Sequence, residues 1–324
     1  MLKIAHIINP VAVNESSDLF IAQPVTFETM LAAQSYAKSH DIEVQLFTTQ
    51  FPEDRHIIPQ GFNIAPDLDK SVLDYGDFQV QRKLPLIKDI MDRLFYEASD
   101  ADFLIYTNVD IAVMPYFYTS ILQIIEEGYD AFVVNRRIIS KNYSSPKDIP
   151  LMYSQVGEKH AGHDCFVFKR DVYKDYQLGS TCIGAPLIGK VFLLNLICNA
   201  KKFQEFTNLH LTFHIGNDEI WKSSSSLEYS QHNLHQLRQV YQHYQEQDAI
   251  VEHPLIAQAI YDKFIINSEE KINAHLHKKV PGVQKQTDHS LIKRIKKQAV
   301  KKFDRLNNCI FFKLSFRPSR HRVF

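Results

Sequence analysis

The run Phe103-Leu104-Ile105-Tyr106 constrains the fold more than any other stretch of this 324-residue chain. Four apolar residues with no polar alternation, bounded by Asp102 and Thr107, describe a strand covered on both faces. Such a strand needs helices on both sides of its sheet. Just before it, Leu84, Ile87, Ile90, Met91, Leu94 and Phe95 recur at helical spacing around Pro85, a favoured first-turn residue. Further upstream, residues 3–10 read as a strand stopped at Asn9-Pro10, and residues 43–49 as a second. Thr26 reads as the cap of a helix running to about Ser39. A helix near 116–127 and a strand at 130–135 follow. This alternation predicts an α/β fold, with a mostly parallel sheet flanked by helices.

The second half is less regular. Residues 136–160 are polar and read as one long loop, a length that usually signals function. Residues 165–168 read as a short strand, 185–201 as a buried helix and 210–214 as another strand. A serine run at 223–226 marks a boundary, and 227–273 reads as a helical extension.

Charge is unevenly placed. Residues 285–324 hold 12 of the 37 Lys/Arg and only Asp288 and Asp304 of the 37 acids, leaving 25 bases against 35 acids elsewhere. Leu291, Ile292, Ile295, Ala299, Phe303 and Leu306 make this basic end amphipathic. Through residues 290–322 it suits an anionic membrane surface; a solvated helix packed on its own domain is the alternative. A nucleic-acid partner is not expected, because no supporting motif accompanies the basic residues. The four cysteines form no CxxC pair and fit reduced thiols in a cytoplasmic protein. The start, MLKIAHII, reads as strand and not as a cleavable leader. No apolar run approaches the length of a membrane span.

The apolar strand ends in Thr107-Asn108-Val109-Asp110. Polar groups at the carboxyl end of such a strand lie where open α/β sheets bind ligands. Asn108 and Asp110 are two apart, so in extended geometry they point the same way, and their oxygens suit Mg²⁺ or Mn²⁺. A turn in which both cap their own backbone is the alternative.

The early βαβ series, Asn108-Val109-Asp110, and the strand His163-Asp164-Cys165-Phe166-Val167-Phe168 together resemble a GT-A-type glycosyltransferase over roughly residues 1–222. In that family an Asp-x-Asp motif holds a divalent metal that bridges the donor diphosphate. Asp110 matches the second acid. Asn108 departs from the first and would neutralise less charge. The resemblance implies a nucleotide-sugar co-substrate contacted by Asn9, Arg82, Asn108 and Asp110. It implies Mn²⁺ or Mg²⁺ on Asp110, Asn108 and His214. Asp164 is the candidate base for the acceptor hydroxyl, with a loop Asp capping nearby amides as the alternative. Arg82 and Arg136-Arg137 could neutralise a diphosphate leaving group, although surface ion pairs are commoner. The segment 137–160 is expected to close over the acceptor.

Residues 184–190 fit GxxxxGK, yet Val191 replaces the hydroxyl residue that should reach Mg²⁺ and Pro186 removes a backbone N–H. The expectation is therefore a cytoplasmic glycosyltransferase acting on a glycan or lipid-linked acceptor at the inner face of a membrane. Its parts would be a catalytic domain at 1–222, a helical extension at 223–284 and a basic tail at 285–324. The alternatives are a non-catalytic nucleotide- or glycan-binding protein on a degenerate GT-A scaffold and, behind it, a P-loop NTPase.

Overall fold

A computed structural model describes residues 2–216, 227–247, 265, 266 and 270, all within one compact unit, Met1–Ala274. The serine boundary at 223–226, nearly all of 248–273 and the basic tail at 285–324 lie outside the described residues. The strands are β1 (Lys3–Ile8), β2 (Glu43–Thr48), β3 (Asn63–Ile64), β4 (Phe103–Thr107), β5 (Ala112–Val113), β6 (Ala131–Ile139), β7 (Glu158–Lys169), β8 (Phe203–Phe206) and β9 (Thr212–Ile215). The helices are α1 (Leu19–Lys38), α2 (Ile87–Glu97), α3 (Phe117–Glu126), α4 (Ile149–Tyr153), α5 (Ile188–Asn199) and α6 (Leu227–Glu246).

The strands form one sheet in the order β3-β2-β1-β4-β7-β6-β9-β5, with β8 also on β6. All five residues of β4 are buried, as an uninterrupted apolar run requires. Phe103 and Ile105 face a core built with Phe27 and Met30 of α1 and Phe117 and Ile121 of α3. Leu104 and Tyr106 face the opposite core, with Ile90, Met91 and Leu94 of α2 and Phe192 and Leu196 of α5. Tyr106 stacks on Phe192 with ring centroids 5.7 Å apart. Leu234, Leu237 and Val240 extend that second core onto α6. The expected α/β sheet covered by helices is what folds.

Several boundaries differ from the sequence reading. Among the described residues, five strand pairings are parallel and three antiparallel, because β7 runs against both β4 and β6, and β5 against β9. Helix α1 starts at Leu19 with Pro24 inside it, and Thr26 is an interior residue whose hydroxyl donates to the Ala22 carbonyl. A proline within the helix had hidden its first turns. The polar stretch 136–160 is not one loop: β6 runs on to Ile139 and β7 starts at Glu158, their polar residues paired across an irregular ladder. Strand β8, with only half-buried apolar residues, carries too weak a pattern to be read. No helix among the described residues is long and apolar enough to cross a membrane.

Candidate active site at the carboxyl ends of β1 and β4

Strands β1, β2 and β4 are parallel, so their carboxyl ends share one edge of the sheet. Asn9 follows β1 there and donates from Nδ2 to the Thr49 carbonyl at 2.6 Å, tying the ends of β1 and β2 together. The Thr49 hydroxyl in turn donates to the Pro66 carbonyl at 2.8 Å. Sheet order reverses between β1 and β4, the crevice where α/β folds bind ligands.

Past β4 the backbone does not stay extended. The Ile111 N–H donates to the Asn108 carbonyl at 3.1 Å, closing a four-residue turn. Asn108 and Asp110 therefore diverge instead of pointing the same way. Asn108 stays beside β4 and meets β7: its Nδ2 lies 3.4 Å from Asp164 Oδ1, while its Oδ1 accepts from the Tyr106 hydroxyl at 3.0 Å. Asp110 reaches β9, where its Oδ2 lies 3.1 Å from His214 Nε2.

The His214 imidazole is buried and fixed from behind. Its Nδ1–H donates to the Gly216 carbonyl at 2.7 Å. Gly216 takes φ +75°, a left-handed conformation suited to glycine, and the Lys141 side chain packs where a Cβ would sit. With Nδ1 committed as donor, Nε2 faces Asp110 as an N–H or as a lone pair. Burial alone would push the Asp110 carboxyl up; the hydrogen bond and charge of His214, with Arg136 nearby, outweigh it and hold the carboxyl low. Burial likewise disfavours the charged imidazole, but Asp110 raises His214 above its ordinary value.

Asp164 is placed by a bulge. Cys165 pairs with Val134 and His163 with Asn135, so Asp164 is the extra residue on β7. Thr107 stands opposite Cys165 on the other side, which sets Asp164 level with Asn108. Arg136 Nη1 lies 2.9 Å from Asp164 Oδ1, and the two side chains are only 12% and 9% exposed. His160 Nδ1 approaches Oδ2 to 4.0 Å while accepting the Gly162 N–H at 2.9 Å. Burial, then Arg136, lowers His160 and keeps it neutral.

Two carboxylate oxygens in this cluster, Asp110 Oδ1 and Asp164 Oδ2, are shielded from water and have no hydrogen-bond partner. Each costs about 1–3 kcal/mol relative to a satisfied group. Their burden is explained if a ligand completes them. The 3.1 Å between Asp110 Oδ2 and His214 Nε2 matches the edge of an octahedron of about 3 Å around Mg²⁺ or Mn²⁺. The Gly216 carbonyl fixes His214 in the way an outer-shell partner would fix a ligating imidazole. Among the described residues no group of three or more His, Cys, Asp or Glu side chains is disposed to hold an ion. Two protein donors suit an ion that takes the rest of its shell from water and substrate phosphates.

A further polar chain supports the bulge from beneath. His163 Nε2 lies 3.1 Å from Glu205 Oε1, which also accepts from Asn135 Nδ2 at 2.9 Å. Lys190 Nζ lies 3.2 Å from His163 Nδ1. The hydrogen bond from His163 holds the Glu205 carboxyl down at about 2. Lys190 thus turns to β7, and the residues before α5 form no strand, unlike a P-loop. Arg137 is tied to the Val156 carbonyl at 2.9 Å. Arg82 rests against α6, its guanidinium 5.7 Å from the Tyr229 ring centroid. The structure thus gathers Asn108, Asp110, Asp164, His214 and Arg136, and sets Arg82 against a helix. Tyr106 and Glu205 escaped the sequence reading: a tyrosine in an apolar strand reads as core, and β8 gives no pattern.

No protein-family model and no curated protein matches this sequence. Among solved structures, S. aureus TarS 1-349 in complex with UDP-GlcNAc is similar over 72% of this chain at 10% identity, with a TM-score of 0.41. The similarity covers 66% of that 1-349 fragment and 39% of the longer S. aureus TarS chain. The catalytic domain of Drosophila beta1,4-galactosyltransferase 7 in complex with xylobiose is similar over 67% of this chain and 72% of that domain's chain, at 13% identity and a TM-score of 0.38. A mutant of the same Drosophila enzyme in complex with manganese, UDP-Gal and xylobiose gives 13% identity, the same coverage of 67% and 72%, and a TM-score of 0.37.

Proposed function

We propose that this chain is a glycosyltransferase that moves a sugar from a nucleotide-sugar donor to an acceptor hydroxyl. The observation that carries the reading is the Asp110–His214 pair at the β1/β4 crevice. It combines a carboxylate with an unpartnered buried oxygen and an imidazole whose other nitrogen is locked to a carbonyl. Asp110 and His214 would hold a divalent cation, whose charge would stabilise the diphosphate as it leaves.

The remaining roles fall to neighbouring side chains. Asn9 and Thr49 shape the β1–β2 side of the crevice, where the nucleoside would lie. Arg136 brings a positive charge felt by both Asp110 and His214, suited to a leaving diphosphate. Asp164 keeps Oδ1 on Arg136 and Asn108, so Oδ2 is the oxygen to take the proton from the acceptor hydroxyl. Arg82 remains a donor-side candidate through its place at the start of the α2 approach.

Titration calorimetry with a panel of nucleoside diphosphates, with and without Mn²⁺, tests the reading. At least one should bind in a Mn²⁺-dependent way, and Asp110→Ala should weaken it by about 100-fold or more, at or above the upper end of the loss for an outer-shell residue. Affinity unchanged by Asp110→Ala would overturn the assignment.

A further inference from the structure

We infer that Asn108 is a positioning residue for Asp164, turned by Tyr106, and is not a ligand of the cation. The inference rests on reading Asp164 as the group that meets the acceptor. Both ends of the Asn108 amide are already committed. Its carbonyl oxygen accepts the Tyr106 hydroxyl at 3.0 Å, and its amide nitrogen faces Asp164 Oδ1 at 3.4 Å.

Tyr106 and Asp164 fix the orientation. The ring is 1% exposed and stacked on Phe192, so the hydroxyl has little room to move. The carboxylate oxygen Asp164 Oδ1 can only accept, so the Asn108 –NH₂ must face it across to β7. The Asn108 oxygen is then left turned toward Tyr106, whose hydroxyl donates to it. Turning the oxygen to a cation beside Asp110 would break both contacts. The Asn108–Ile111 turn adds a second obstacle, because it sends Asp110 to β9 while Asn108 stays at β7.

The same geometry explains the residue type. A carboxylate at position 108 would face Asp164 Oδ1 across a hydrogen-bond distance, and two anions at that spacing cannot both stay ionised cheaply. An amide of the same shape donates there instead. Together with Arg136 Nη1 it saturates Oδ1 and leaves Oδ2 as the reactive oxygen. The departure from Asp-x-Asp is thereby the feature that holds Asp164 in place.

Three variants test this against Asp110→Ala as reference. Asn108→Ala should keep Mn²⁺-dependent nucleoside-diphosphate affinity within about threefold, while kcat for sugar-nucleotide turnover falls by about 10- to 100-fold at unchanged KM. Asn108→Asp should lower Tm in metal-free buffer by about 3–6 °C. Adding Asp164→Asn to Asn108→Asp exchanges amide and carboxylate and should restore about half of that loss or more, since the two sites couple. The inference is overturned if Asn108→Ala loses affinity as far as Asp110→Ala does. It is equally overturned if Asn108→Asp tightens Mn²⁺ binding with no fall in Tm. Should Asp110→Ala leave affinity intact, the donor-site reading fails, and the Tm exchange alone decides whether Asn108 positions Asp164.

Discussion

Asp110, half-buried, and Asp164, buried, stand at one sheet edge, each with one oxygen paired and one shielded and left bare, yet their partners differ in kind. Asp110 is paired with His214, an imidazole that can give up its proton and offer the same nitrogen to a cation. Asp164 is paired with Arg136, a guanidinium with no lone pair to offer a cation, and is steadied by the Asn108 amide. The first pair can be exchanged for a ligand without stranding a charge. The second cannot be opened without leaving an ion in a dry place. On the proposed function, one edge would carry a replaceable contact for binding beside a permanent one for positioning.

The largest effect should come from the permanent pair. Arg136→Met strips Asp164 of its counter-charge and should cost about 3–5 kcal/mol of stability, read by urea unfolding. Adding Asp164→Asn should recover most of this, because the stranded charge is then gone. A single variant within about 0.5 kcal/mol of wild type would erase the contrast between the two acids.

At the exchangeable pair the loss should appear in binding more than in folding. His214→Gln should weaken Mn²⁺-dependent nucleoside-diphosphate affinity by about 10- to 100-fold, while costing less stability than Arg136→Met. The reverse ranking, with folding hurt and binding spared, would make His214 a structural histidine.

The smallest effect concerns the support under the bulge. Glu205 sits at about 2 in the folded chain against an ordinary 4.5, so its stabilising contribution is complete above 4.5 and drains away as pH falls through about 2. Thermal melts between those limits should therefore decline less steeply for Glu205→Gln than for wild type. Equal slopes would remove Glu205 from the scaffold that sets Asp164.

Much of this architecture was legible before folding. The apolar run at β4 announced a doubly covered strand, and the Leu84–Phe95 stripe announced α2, since burial imposes periods that survive in one dimension. Asp110 could be picked out because polar residues after an apolar strand stand at the sheet edge, whereas Asp164 and His214 came forward only through the family resemblance. The antiparallel run of β7 between β4 and β6 could not be read, because a short apolar strand carries no sign of its direction. Nor could the bulge at Asp164, which is a mismatch between two strands and belongs to neither.

Sequence by itself determined the layers of this protein and the residue types at its edge, because hydrophobic periodicity and strand ends are local properties. Tertiary structure alone decided who meets whom. It split Asn108 from Asp110 across a four-residue turn, gave one to Asp164 and the other to His214, and brought Arg136 across a bulge. Those pairings depend on register and chain crossing over tens of residues, which no spacing along the chain encodes.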